Sequence, residues 1–154
     1  MHKVFTTMGI LLMLMGIFGL SYTWHMDHRS AETLSEYAAN EFEVSHDGEG
    51  YVEGAVLSLW DYRFDDSKML PNAVLFTDGN AWDLIAATKH TPPPQSGSRF
   101  RSENKLFVEF PRESLRAMLN AEQIRFKFSY DNGQSIELPL STKDLALWKR
   151  KIRW

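Results

Sequence analysis

The chain has 154 residues, no cysteine and a formal net charge of -3. Disulfides, thiolate metal sites, a cysteine nucleophile and a lipidated cysteine are thereby excluded, and no global basic field argues for nucleic acid. The charge is uneven: Ala31 to Asp66 carries ten acidic residues against Arg63 alone, whereas Thr142 to Trp154 carries five basic residues against Asp144.

Val4 to Tyr22, VFTTMGILLMLMGIFGLSY, has no charged side chain. As a helix rising about 1.5 Å per residue it is roughly 28 Å long, close to the ~30 Å hydrocarbon core of a bilayer. Two readings follow. An uncleaved transmembrane anchor would place Tyr22 and Trp24 at the membrane interface, where amphipathic rings prefer to lie. A cleaved signal would use only Met8–Leu20 as its apolar core, with Gly19 and Ser21 as the small residues at the cleavage site. Both send the rest of the chain out of the cytoplasm, because the terminal amine and Lys3 outweigh Arg29. The anchor is the favoured reading, so residues 1–23 are expected in the membrane and residues 24–154 beyond it, periplasmic or extracellular. Secretion after cleavage is the alternative.

His25 and His28 flank Asp27 at the expected membrane surface, and His46 is a conceivable third ligand. A metal site needs a fuller set and an ordered surround, so these are read as interfacial polar residues and no cofactor is expected. Ser30–Glu43 has Leu34, Tyr37, Ala38 and Phe42 at helical spacing, with Ser30 as N-cap. Val44–Tyr51 is rich in turn residues. Residues 24–49 are accordingly predicted to be an acidic juxtamembrane helix and linker, and residues 50–154 the folded domain.

Tyr51–Phe64 alternates as a strand, with Val56, Ser58, Trp60, Tyr62 and Phe64 on one face and Leu57, Leu59, Asp61 and Arg63 on the other. Strands over Ala73–Thr77 and Trp82–Ala87 flank the turn Asp78-Gly79-Asn80. Asp78, Asn80 and Asp83 fall short of a calcium loop, which needs more acidic positions and a distal Glu. Thr88–Asn104 reads as a long loop, stiffened by Pro92-Pro93-Pro94 and made positive by Lys89, His90, Arg99 and Arg101. Lys105–Phe110 is a strand, and Pro111–Asn120 a helix with Pro at its first position and Leu115, Met118 and Leu119 on one face.

Ile124–Tyr130 and Ile136–Leu140 alternate about Asp131-Asn132-Gly133. A two-residue turn would oppose Phe128 to Glu137. A three-residue loop opposes Phe128 to Ile136, Phe126 to Leu138 and Ile124 to Leu140, which unites the apolar sets. The prediction is therefore a type I turn with Gly133 left-handed, closing a G1 bulge, with Pro139 at an edge. Thr142–Trp154 reads as a last helix capped by Thr142. Its ending interleaves Trp148 and Trp154 with Lys149, Arg150, Lys151 and Arg153. That ending suits docking of Trp148 and Ile152 on the domain, or contact with an anionic membrane surface.

No phosphate-binding loop, nucleophile elbow, zinc-protease helix or dinucleotide fingerprint is present, and Asp65 and Asp66 are adjacent, so they point apart on a strand. The expected fold is mainly β, bordering on α+β: an antiparallel, sandwich-like domain with one or two short helices. The expected function is non-enzymatic, a membrane-tethered module that engages a protein partner. A small-ligand binder for a glycan or lipid head group is the alternative. Trp60, Trp82, His90, Arg99 and Arg101 are the candidate binding residues.

Overall fold

The computed structural model describes residues 30–92 and 100–153. Among the described residues there are seven strands: β1 (Ala39–His46), β2 (Val52–Arg63), β3 (Met69–Thr77), β4 (Asn80–Thr91), β5 (Ser102–Phe110), β6 (Ile124–Tyr130) and β7 (Ser135–Pro139). Three helices accompany them: α1 (Leu34–Tyr37), α2 (Arg112–Asn120) and α3 (Thr142–Ile152). The predicted segment Val4–Tyr22 lies outside the described residues, and among those described no helix is long and apolar enough to cross a membrane.

The mainly antiparallel β class holds. The sandwich-like expectation is realised differently, because all seven strands form one sheet in the order β1-β2-β5-β4-β3-β6-β7. Three strands separate β2 from β6 in that order, yet Tyr130 on β6 hydrogen-bonds Asp61 on β2. The sheet is curled into a half-barrel, and its two halves face each other as two stacked sheets would. The cause is visible along β2, where Leu57, Leu59, Asp61 and Arg63 are buried and the residues between them face outward. A twisted sheet with one apolar face buries that face by folding over it.

The largest correction concerns residues 31–49. Only Leu34–Tyr37 is helical, entered through Thr33 rather than Ser30, with the Glu36 carboxylate accepting from the Glu32 and Thr33 amides at 2.9 and 3.2 Å. From Ala39 the chain is a strand paired with β2, Phe42 opposite Leu57. The apolar spacing from Leu34 to Phe42 fits a helix, but Phe42 and Val44 also alternate with Glu41, Glu43 and Ser45. Period two prevails because a full backbone ladder and burial of Phe42 against the core are available there. Leu34, Tyr37 and Phe42 are core residues, so the folded unit begins well before Gly50.

Turn chemistry sets the hairpins. Asp78 (φ 42°) and Gly79 (φ 96°) are both left-handed, so the β3–β4 turn is the two-residue type I′ form that suits strand twist. Asp78 then accepts from the Glu122 and Gln123 amides at 2.8 and 3.0 Å, so the expected turn residue also ties down the end of α2. The expected loop Thr88–Asn104 is shorter than predicted, because β4 continues to Thr91 and β5 begins at Ser102, with His90 opposite Asn104. Polar residues on both faces hide that strand pattern in the sequence. The β6–β7 register is as derived: Phe128 opposes Ile136 and Phe126 opposes Leu138. Tyr130 N–H bonds Gln134 at 2.8 Å across the three-residue loop, Gly133 has φ 85°, and Pro139 lies on the edge strand.

Helix α2 follows Pro111, with Leu115 and Met118 buried. Helix α3 is capped one residue before the predicted position, the Ser141 hydroxyl accepting from the Asp144 amide at 3.1 Å. Trp148 is only 2% exposed. Its ring stacks on Phe42 at 4.2 Å between centroids and meets Phe110 edge-on at 6.3 Å. Of the two predicted roles for this helix, Trp148 takes docking on the domain; it is not a membrane-interface residue.

Two outcomes follow from this packing. Trp148→Ala should cost about 3–5 kcal/mol in chemical denaturation, the usual loss for a buried large aromatic. Gly133→Ala should cost about 1 kcal/mol, because alanine is strained in the left-handed region, while Gly48→Ala, at a position with open space around it, should be close to neutral.

Candidate binding surfaces

The half-barrel interior is apolar through its middle and polar towards the end formed by the last residues of β2. Asp61 and Arg63 share the inward face of β2 with Leu57 and Leu59, and both are buried. Arg63 forks onto Asp65, Nε to Oδ1 at 3.1 Å and Nη2 to Oδ2 at 3.0 Å, and Nη2 also reaches the Gln134 amide oxygen at 3.0 Å. Its Nη1 donates to the Tyr37 hydroxyl at 3.3 Å, and its guanidinium lies 4.5 Å from the Tyr130 ring centre.

Proton direction along this chain can be deduced. The Tyr130 hydroxyl donates to Asp61 Oδ2 at 2.5 Å, which uses its one proton. Tyr37, 3.1 Å away, must then donate to Tyr130. Arg63, Tyr37, Tyr130 and Asp61 form a directed series joining β2, α1 and β6. Burial, reinforced by the Asp61 charge, pushes the Tyr130 phenol far above its ordinary range. Burial opposes the Arg63 cation, but the bond to Asp65 and the tyrosine oxygens more than offset it and hold its pKa above the usual value. The Arg63 bond holds the Asp65 carboxyl down to about 2. These groups hold one another in place and clamp the curl; nothing in their arrangement aims a nucleophile or base at open space.

A second set lies beside it. Asn104 Oδ1 accepts from the Met69 amide at 3.1 Å and from His90 Nδ1 at 3.0 Å, while its Nδ2 donates to the Ser67 carbonyl at 2.9 Å. With that amide orientation, His90 carries its proton on Nδ1. His90, predicted as a binding-loop residue, is therefore a strand residue that supports a buried asparagine.

The other predicted residues do not converge. Trp60 lies on the outward, convex face of β2. Trp82 lies on the inward side of β4, in step with Leu84, and its indole N–H donates to Thr77 Oγ1 at 3.0 Å. The two tryptophans are on opposite faces of one sheet and build no common site. Arg101 is exposed and bonds the Arg63 carbonyl through its amide at 2.8 Å. Arg99 lies outside the described residues, as do Tyr22, Trp24, His25, His28 and Trp154. His46 is exposed on β1, and no cluster of three metal-ligating side chains occurs among the described residues. Lys149 Nζ donates to the Ala121 carbonyl at 2.5 Å and Lys151 Nζ to the Phe42 carbonyl at 2.6 Å, while Arg150 and Arg153 are exposed. The cationic ending is thus half structural and half open.

The surface that sequence reasoning missed is the convex face over β2, β5 and β4. Val56 and Ile85 flank Glu109 from either side, and Phe107 stands two residues along from Glu109 on the same face. Further along the face come Trp60 and then Tyr62, whose ring meets Phe100 at 5.4 Å. Ile85 is 74% exposed, and Val56, Tyr62 and Phe107 are exposed too. The signal existed in the alternation of β2, where Val56, Trp60 and Tyr62 sit opposite the core-facing leucines. Nothing in the sequence said which face the core would take, or that Phe107 and Ile85 would join it.

No family model matches the chain, and a search of curated proteins finds no match. A search of solved structures finds similarity to a chain titled "Structure of Iho670 Flagellar-like Filament", at 9% identity over 91% of this chain and 98% of that one. The TM-score is 0.36, too low for the likeness to carry an argument.

Two measurements test the polar clamp. Tyr130→Phe should cost about 1.5–3 kcal/mol, because it strips a hydrogen bond from a buried carboxylate, and more than Tyr37→Phe. Asp65 has a folded pKa of about 2 against about 3.9 unfolded, so its contribution is present above pH ~4 and lost as pH falls through ~2. Denaturation midpoints in that window should fall less steeply in Asp65→Asn than in wild type.

Proposed function

We propose that this protein is a non-catalytic module, tethered by Val4–Tyr22 on the extracytoplasmic side of a membrane, that engages a protein partner through the convex face of its sheet. The observation that carries the reading is the exposed apolar set Val56, Phe107 and Ile85, continued by Trp60 and Tyr62. Scattered exposed hydrophobics are ordinary, but Val56, Ile85 and Phe107 gather around Glu109 on one sheet face, and apolar side chains grouped with a charge in this way are a common mark of an interaction surface. A convex, side-chain-rich sheet face suits a protein better than a small molecule, which needs concavity. The alternative, a glycan or lipid head-group binder built on Trp60 and Trp82, is the weaker reading because those rings face opposite ways.

Ile85→Asp and Phe107→Asp are the discriminating variants. Neither side chain is in the core, so each should change stability by no more than about 0.5 kcal/mol. A partner recovered in stoichiometric amount from mildly solubilised membranes should be lost by both variants and kept by Lys127→Asp elsewhere on the convex face. Recovery of the protein alone in several mild detergents, or a partner indifferent to both variants, would overturn the reading. The tether has its own test: in sealed vesicles the domain should be cut by protease only from the extracytoplasmic side, with an intact mass that retains residues 1–21.

A further inference from the structure

The sheet ends on one side at β1, and no strand among the described residues covers that edge. A groove of about 750 Å³ runs along it, bounded by Val44, Ser45 and His46 of β1 and by Leu147, Arg150 and Lys151 of α3. Lys151 Nζ bonds the Phe42 carbonyl at 2.6 Å, so the main chain of Phe42 looks off the edge towards α3. In an antiparallel ladder the N–H and C=O of one residue point the same way and alternate along the strand. Val44, two residues on, therefore turns its own N–H and C=O towards the groove. Lysine at an edge is an ordinary guard against strand addition. Here it covers Phe42 and leaves Val44 as the first open position.

We propose that β1 accepts an extended peptide segment of a partner as an eighth strand, starting at Val44, with the groove between β1 and α3 reading its side chains. Backbone bonds to Val44 and His46 would supply the pairing, and side chains alternating between two faces would supply the choice. The two faces carry opposite charge. On the convex side the added strand lies beside Glu41 and Glu43. On the concave side it lies beside Arg150 and Lys151, with Val44 and Leu147 as an apolar floor. The segment selected is therefore one in which cationic residues alternate with an apolar residue and then an acidic one. A second copy of this chain fits badly. Continuing the sheet from β1 to β1 joins convex face to convex face, so Glu43 would meet glutamates and Arg150 would meet cations.

The groove meets the convex set at Val56 but includes neither Ile85 nor Phe107, so variants at those two positions let the two readings fail independently. The test uses the full chain in detergent micelles and three blocked hexapeptides: Thr-Lys-Val-Lys-Glu-Thr, its charge-swapped form Thr-Glu-Val-Glu-Lys-Thr, and Thr-Lys-Lys-Val-Glu-Thr, which keeps the composition and breaks the alternation. The first should bind roughly tenfold more tightly than either other, as fits paired against like charges across an interface. Hydrogen exchange should slow at Val44 and His46. Methylating alternate backbone nitrogens of the first peptide should abolish binding in one of the two phases. The double variant Glu43→Lys with Arg150→Glu should reverse the preference between the first two peptides, which loss of folding cannot mimic, and Ile85→Asp should leave it unchanged. Equal affinity for the three peptides, no binding by any of them, indifference to methylation in both phases, or exchange protection on β4 and β5 instead of β1 would overturn the proposal.

Discussion

A single sheet with one apolar face has to hide that face from water, and here it does so by folding over itself. The closing contact is between β2 and β6, which are far apart in the hydrogen-bonded order and adjacent across the interior. Tyr130 meets Asp61 there at 2.5 Å, with Tyr37 and Arg63 completing the series. Each buried polar group costs free energy unless it is bonded, and a charge costs much more. The network therefore specifies the curl more than it adds to stability, since a different degree of closure would leave Asp61 or Arg63 badly placed.

Each helix serves that closure. Leu34 and Tyr37 on α1 enter the core beside Phe128, with the Tyr37 and Phe128 rings 5.6 Å apart. Helix α2 buries Leu115 and Met118, and the Asp78 turn holds its C-terminal side. Helix α3 inserts Trp148 against Phe42 and Phe110, so the last helix and the first strand are fixed to each other through a stack of rings. The groove along β1 is a consequence of that docking: once Trp148 is seated inside, Leu147, Arg150 and Lys151 are left along the sheet edge.

The two proposed interaction surfaces fall where the core does not need the residues. The convex face of β2, β5 and β4 exposes Val56, Phe107 and Ile85 around Glu109 although the fold makes no demand for them, and the β1 edge carries opposite charges on its two faces. The polar interior is a clamp, so the titratable groups with the most perturbed behaviour, Tyr130 and Arg63, are structural. Perturbed groups often mark chemistry; these are directed at one another across the curl.

Local pattern and turn chemistry decided a good deal without any tertiary information. That Leu57, Leu59, Asp61 and Arg63 share one face of β2 was readable from alternation, though not that this face is the inward one, and the β6–β7 register followed from asking which loop length brings Phe126 and Phe128 opposite Leu138 and Ile136. Those features are legible because they depend on neighbours within a few residues. The fate of Ala39–His46 was not, since Leu34 to Phe42 satisfies helical spacing and only the availability of β2 as a partner makes it a strand. Nor was the single curled sheet, nor the separation of Trp60 from Trp82 onto opposite faces. Strand order and closure are set by long-range packing, which no local period encodes.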